Sequence, residues 1–290
     1  MRIQIMGAGA LGCLFGYFLL EGGYDVIFVA RGKQYEALKE NGLRITGIEE
    51  GTFRVNAVKK PENSDLVFLT VKAYDTLNAA RMLRNVKFRA VCSLQNGVGN
   101  EEILAEFFEN VVGGVTTYGA NIAEPGKVVY AGKGRTILGN YRGDYAEVFH
   151  EVLSNCGVEA EISEKIEEKI WEKASINAVI NPLTAICRVK NGKIVEIPEL
   201  WELAEKTGKE CEKILAEMGY RIDVVGMVRE VALKTSENRS SMLQDIEKGR
   251  RTEVEFINGA FVKAGEKLGI DPVCNRILLK LVRGIELGMG

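Results

Sequence analysis

Short apolar, β-branched runs punctuate the first half of the chain: "RIQIM" from residue 2, "DVIFVA" from 25, "DLVFLTV" from 65, "AVCSLQ" from 90 and "VVGGVTTY" from 111. Stretches with helical spacing separate them, which is the rhythm of βαβ units and a parallel sheet. Two further segments, "LRITGIEEGTFRVNAV" (43–58) and "GKVVYAGKGRTILG" (126–139), carry turn residues between β-prone runs and are predicted to be antiparallel hairpins. After "EISEK" the period changes. Charged and apolar residues now recur with helical spacing through "IEEKIWEKASINAVI", "LWELAEKTGKECEKILAEMG", "VVGMVREVALKTS" and "EVEFINGAFVKAGEKLG", which predicts helix throughout. The pattern therefore divides the chain into an α/β domain over 1–163 and an all-helical domain over 164–290.

Composition narrows the class. With 290 residues, 46% of them hydrophobic, the chain can build two cores. Its 38 basic and 40 acidic side chains leave a formal net charge of -2, without the basic excess that tracks a phosphate backbone, so no nucleic-acid partner is expected. Cys13, Cys92, Cys156, Cys187, Cys211 and Cys274 are scattered, with no CxxC pair and no metal-ligand spacing. They read as reduced thiols of a cytoplasmic protein that holds no metal. The opening "MRIQIMGAGALGCLFGYFLL" imitates a signal peptide or short span, but Gly7, Gly9, Gly12 and Gly16 interrupt it. The polar "EGGYD" then ends it short of the ~20 residues a spanning helix needs, so no membrane association is expected. The long helices after 199 have apolar faces suited either to a homodimer interface or to closing a monomer's core.

The same glycines carry chemistry. "GAGALG", with Gly7, Ala8, Gly9, Ala10, Leu11 and Gly12, matches GxGxxG, follows the first strand and opens the first helix. The first glycine permits the tight turn, the second lets the backbone approach a pyrophosphate, and the third allows close packing of helix on strand. The anion would sit at the helix N-terminus, where the dipole and unpaired N–H groups favour it. The α/β domain is thus expected to be a Rossmann-type dinucleotide-binding domain. About 20 positions further on, NAD enzymes place an acid on the ribose hydroxyls. Here "VIFVAR" places Arg31, which suits a ribose 2′-phosphate, and Lys72 follows the third strand as a second cation for it. NADPH is accordingly the expected cofactor. Asn96, in "SLQNGVGNEE", lies at the carboxyl end of the sheet; on spacing alone it reads as a turn residue.

A hydride acceptor also needs a proton source. The one histidine, His150, sits in "YAEVFHEVLSN", where it reads as one position of an amphipathic helix. "KASINAVINPLTAI" offers an alternative, placing Lys173, Asn177 and Asn181 at four-residue intervals among apolar neighbours. They share one slowly drifting helix face. A lysine can stabilise developing alkoxide charge and donate a proton, and a buried charge without partners is costly, so this stripe is expected to face a polar cleft. Pro182 is expected to kink or restart the helix and expose backbone beside Asn181.

These motifs together carry a resemblance. "KASINAVINPLTAI", Asn191 in "KNGKI", "ENRSSMLQDIEKGRRTEVEFINGA" at 237–260, the N-terminal GxGxxG, the Arg after the second strand, "VKA" and "QNGVGNEE" resemble the ketopantoate reductase (2-dehydropantoate 2-reductase) family from end to end. The resemblance implies NADPH-dependent reduction of the 2-keto acid ketopantoate to (R)-pantoate, in pantothenate and coenzyme A biosynthesis. It implies Lys173 as proton donor and Asn177, Asn181, Asn191 and Ser241 as contacts to the keto acid. It places Asn96 where cofactor and substrate meet, and Ala120 and Glu253 at positions that contact the ribose or nicotinamide portion of NADP. From the sequence alone Ser241 would be a helix cap and Glu253 a surface acid.

Overall fold

The structure, a computed structural model, describes residues 1–288 and divides into two compact units. The first comprises 1–95 and 100–169; the second comprises 96–99 together with the chain from Ile170 onward.

In the first unit the chain runs β1 (Arg2–Met6), α1 (Ala10–Glu21), β2 (Asp25–Val29), α2 (Gly32–Asn41), β3 (Leu43–Gly47), β4 (Gly51–Phe53), β5 (Asn56–Val58) and β6 (Leu66–Leu69). A single 3-10 turn (Ala73–Asp75) leads into α3 (Thr76–Leu83), then β7 (Ala90–Ser93), α4 (Asn100–Ala105), β8 (Val111–Thr116), β9 (Gly119–Glu124), β10 (Lys127–Gly132), β11 (Thr136–Arg142), α5 (Ala146–Asn155) and β12 (Ala160–Ile162). Eight strands form one sheet in the order β12-β11-β8-β7-β6-β1-β2-β5. All pairings in it are parallel except β11 on β8. Strand side chains alternate between two cores. Ile3, Ile5, Phe28, Leu66 and Phe68 pack with Leu14, Phe15 and Phe149, while Met6, Val29, Val67, Leu69 and Val91 pack with Ala79, Ala80, Leu83 and Leu104. Burial on both faces explains why these strands read as unbroken apolar runs.

The smaller sheet, β4-β3-β10-β9, corrects one expectation. β3 and β4 do form the antiparallel hairpin, with β5 leaving to join β2, but β10 does not pair with β11. It pairs antiparallel with β9, through a turn at Pro125 and Gly126 (φ 78°), the proline–glycine sequence of a type II turn. The second glycine of "AGKG", Gly134, serves close approach instead of a hairpin. A Cβ on Gly134 would stand 2.4 Å from the Thr117 carbonyl carbon.

The second unit contains α6 (Ile166–Cys187, its first residues belonging to the first unit), α7 (Lys193–Glu196), α8 (Pro198–Glu217), α9 (Val224–Lys234), α10 (Ser241–Glu247), α11 (Asn258–Lys267) and α12 (Val273–Gly288). Among the described residues it holds no strand. Ala174, Ala178, Val179 and Leu183 of α6 are buried in a core shared with Cys211 and Ile214 of α8, Val228 of α9, Leu243 of α10, Phe261 of α11 and Val282 of α12. On α12, Val273, Ile277 and Leu281 remain exposed. No helix of the described residues is long and apolar enough to cross a membrane.

Candidate active site

In the first unit, strand order runs outward from β1 in both directions, to β2 on one side and β6 on the other. Such a reversal opens a crevice at the carboxyl ends of the strands, and the glycine turn leaves β1 at that point. Gly7 has φ 114°, in the left-handed region, and a Cβ there would meet the Val71 nitrogen at 2.6 Å. The Gly7 and Ala8 N–H groups donate to Val29 O at 3.3 and 3.1 Å. Thr70 Oγ1 donates to Gly7 O at 2.7 Å, and a Cβ on Gly12 would lie 2.2 Å from that same oxygen. Gly9 differs, since nothing lies within 4 Å of a Cβ built on it. The loop is thus pinned at both ends and open in the middle, with Ala10 and Leu11 beginning α1 and no acidic residue in its first turn. The first N–H groups of a helix have no intrahelical partner, so this end fits a pyrophosphate.

Arg31 stands directly after β2 and Ala30, largely exposed, with its guanidinium paired to Asp75 in the turn that follows Lys72. The two cations expected for a 2′-phosphate follow β2 and β6, the strands on either side of β1, and Asp75 is a partner that spacing did not reveal. A buried polar chain braces the same loop. Gln95 Nε2 donates to Val71 O and to Thr76 Oγ1, both at 2.8 Å, and Thr76 Oγ1 donates to Asn100 Oδ1 at 2.8 Å. Glu101, 3% exposed, lies beside Ser93 in this cluster, and burial pushes its carboxyl up to about 7. Ala120 sits on β9 opposite Tyr130. His150 lies on α5 with Nε2 3.1 Å from Ala160 O, bound into the fold of this unit.

In the second unit Lys173 is half-buried on α6. Burial lowers its pKa to about 8, with the negative charge of Glu253 acting in the opposite direction. Glu253 is 6% exposed, correcting its reading as a surface acid; it precedes α11 in a turn closed by Phe256 N and Ile257 N donating to Glu253 O. Asn177 is half-buried and Asn181 buried. Asn191 is buried too, its Nδ2 donating to Thr235 Oγ1 at 2.9 Å while its Oδ1 lacks a donor. The cap of α10 is Ser240, whose Oγ accepts from Leu243 N at 3.1 Å; Ser241, read from sequence as the cap, is the exposed first residue of that helix. Adjacent serines defeat a pattern argument, because either could accept that bond. Half-buried Asn96 opens the 96–99 excursion, where Val98 N donates to Phe256 O at 2.8 Å and Gly97 leaves no room for a Cβ against Phe256.

Pro182 neither breaks nor restarts α6, which runs unbroken from Ile166 to Cys187. The backbone oxygen it frees is not exposed. Asn258 Nδ2, at the start of α11, donates to Ala178 O at 2.8 Å.

A doubly wound sheet with an open glycine turn, joined to a helical unit carrying a half-buried lysine near a carboxylate, defines a nicotinamide-dependent oxidoreductase of the Rossmann-plus-helical-unit class. The profile of the family described as "Ketopantoate reductase PanE/ApbA" matches residues 3–143, and that of its C-terminal domain matches 165–286. This chain belongs to the ketopantoate reductase family. It is 57% identical over 291 residues to a 2-dehydropantoate 2-reductase from Archaeoglobus fulgidus, covering 99% of each chain. A solved ketopantoate reductase from Ralstonia eutropha aligns with TM-score 0.93 at 31% identity, over 100% of this chain and 99% of the other. D-mandelate dehydrogenase, solved with NADH and anilino(oxo)acetate, aligns with the same TM-score of 0.93 at 27% identity, over 100% and 99%.

Proposed function

We propose that this protein reduces 2-dehydropantoate to (R)-pantoate with NADPH, and that Lys173 is the proton donor. The observation that carries the substrate assignment is the 57% identity to a 2-dehydropantoate 2-reductase over 99% of each chain. NADPH, when bound, supplies the hydride to the keto carbon. The open Gly9 turn and the N-terminus of α1 hold the pyrophosphate, and Arg31 with Lys72 holds the 2′-phosphate. To reach that phosphate Arg31 must share or exchange Asp75.

The protein's own part of the chemistry is to deliver one proton and hold the keto acid. The Lys173 ammonium releases a proton to the carbonyl oxygen as negative charge develops there, leaving a neutral amine that solvent recharges. A lysine whose pKa stands at about 8 is protonated near neutrality and a stronger acid than an ordinary lysine. Asn177, Asn181 and Ser241 supply directional contacts to the keto acid, and the unpaired Oδ1 of Asn191 is an acceptor for a hydroxyl. Asn96 lies where cofactor and substrate meet, and Ala120 and Glu253 contact the ribose or nicotinamide portion of the cofactor, with Glu253 also favouring charged Lys173.

The test is oxidation of NADPH by the purified protein with ketopantoate, run beside NADH and beside phenylglyoxylate, the keto acid corresponding to mandelate. Turnover confined to ketopantoate and NADPH is the expected result. Faster turnover with NADH and the aryl keto acid would replace this reading with a mandelate-type dehydrogenase.

A further inference from the structure

An α-helical N–H at position 182 would bond the carbonyl of residue 178, and proline has no N–H. The structure fills that gap from 80 positions away in sequence, with Asn258 Nδ2 donating to Ala178 O at 2.8 Å. Both residues are fully buried, at 0% exposure. The second Asn258 amide hydrogen goes to Asn275 Oδ1 at 2.9 Å. Asn275 is itself held by Glu210, which accepts from the Asn275 N–H and Nδ2 at 2.9 Å each and from Cys274 N at 2.7 Å. One hydrogen-bonded line thus crosses α8, α12, α11 and α6.

The orientation of the Asn258 amide is fixed by its partners. Both are acceptors, so turning the amide over would set its oxygen against an oxygen. Its Oδ1 is left buried without a donor, which shows that donation to Ala178 and Asn275 outweighs satisfying its own acceptor.

The position of this bond matters for the lysine. Ala178 lies five residues after Lys173, and Asn258 lies five residues after Glu253. The turn between Glu253 and α11 is itself hydrogen-bonded, by Phe256 N to Glu253 O at 2.9 Å and Gly259 N to Val254 O at 3.0 Å. We propose that Pro182 and Asn258 form a single positioning device: the proline frees the Ala178 carbonyl, Asn258 takes it, and the bond fixes the separation of Lys173 and Glu253. Asn258 is a positioning residue that acts through this pair. The inference rests on the reading of Lys173 as the acid.

The experiment introduces Asn258→Ala into the native background and into Pro182→Ala, where the restored N–H at 182 can serve Ala178 O. In the native background kcat is expected to fall at least about tenfold with KM for NADPH unchanged, the basic limb of the pH–rate profile to move, and backbone amide exchange over 183–186 to quicken. In the Pro182→Ala background the same substitution is expected to cost less than about threefold, with limb and exchange near those of Pro182→Ala alone. Asn258→Leu, which is similar in size and has no donor, is expected to match Asn258→Ala. Equal losses in both backgrounds, no loss in either, or quickened exchange without a change in kcat or pH limb would overturn the proposal. If Asn258→Ala fails to fold, recovery of folding by Pro182→Ala supports the device and failure of both overturns it. Lys173→Ala measured alongside tests the acid assignment separately, because amide exchange reads the cross-link without any turnover.

Discussion

The glycine turn of the first unit and the polar stripe of α6 in the second are built by opposite means. Around Gly7, Gly9 and Gly12 the site consists of backbone, and what matters is the absence of side chains: two glycines are packed against neighbours and one is open. On α6 the candidate site consists of side chains on a helix otherwise embedded in the core, where the Lys173 charge is met by that of Glu253, far along the chain. Backbone sites are encoded locally. Side-chain sites inside a helical core depend on partners that sequence spacing does not reveal, such as Glu253 for Lys173 and Asn258 for Ala178.

The strongest test of that contrast is Lys173→Ala, which should lower kcat by about 10²–10⁴ while a fluorescence titration finds NADPH binding unchanged. Retained turnover would remove the lysine from the chemistry. Next in size, Arg31→Ala should weaken NADPH by roughly tenfold to hundredfold, as expected for losing a charge-assisted hydrogen bond, and leave NADH affinity alone. An equal loss for both nucleotides would contradict a 2′-phosphate role.

A smaller effect follows from pH. The Lys173 pKa of about 8 lies below the 10.5 of a free lysine, so turnover, which needs the ammonium, should drop about tenfold per pH unit above that value. Stability should move the other way. Between pH 8 and 10.5 the unfolded chain keeps a proton that the folded chain has released, so this group adds stability as pH rises. Opposite slopes of kcat and of unfolding free energy in that window are the signature to look for. The subtlest comparison is between two glycines of one motif. Gly12→Ala should cost about 1–3 kcal/mol in denaturant unfolding because its Cβ has no space, whereas Gly9→Ala should leave stability unchanged and weaken only the cofactor.

How far each unit could be read beforehand follows the same division. The central strands were legible because double-sided burial leaves unbroken apolar runs such as "LVFL", and the glycine spacing pointed to the turn after β1. The pairing of β10 was not, since "AGKG" and Pro125–Gly126 both look like turns and local spacing does not say which one closes the hairpin. In the helical unit Lys173, Asn177 and Asn181 stood out by period. The burial of Glu253, the serine that caps α10 and the continuity of α6 through Pro182 depend on contacts between residues far apart in sequence, which no local pattern carries.

The four residues 96–99 belong with the helical unit although the sheet unit flanks them on both sides. The helical unit is therefore not a contiguous stretch of the gene. A fragment starting at Ile170 would lack the N–H that Val98 gives to Phe256 O and the backbone that Gly97 lays over Phe256. Any shuffling of this unit between proteins, by recombination or by design, has to carry those four residues with it or find a substitute for them.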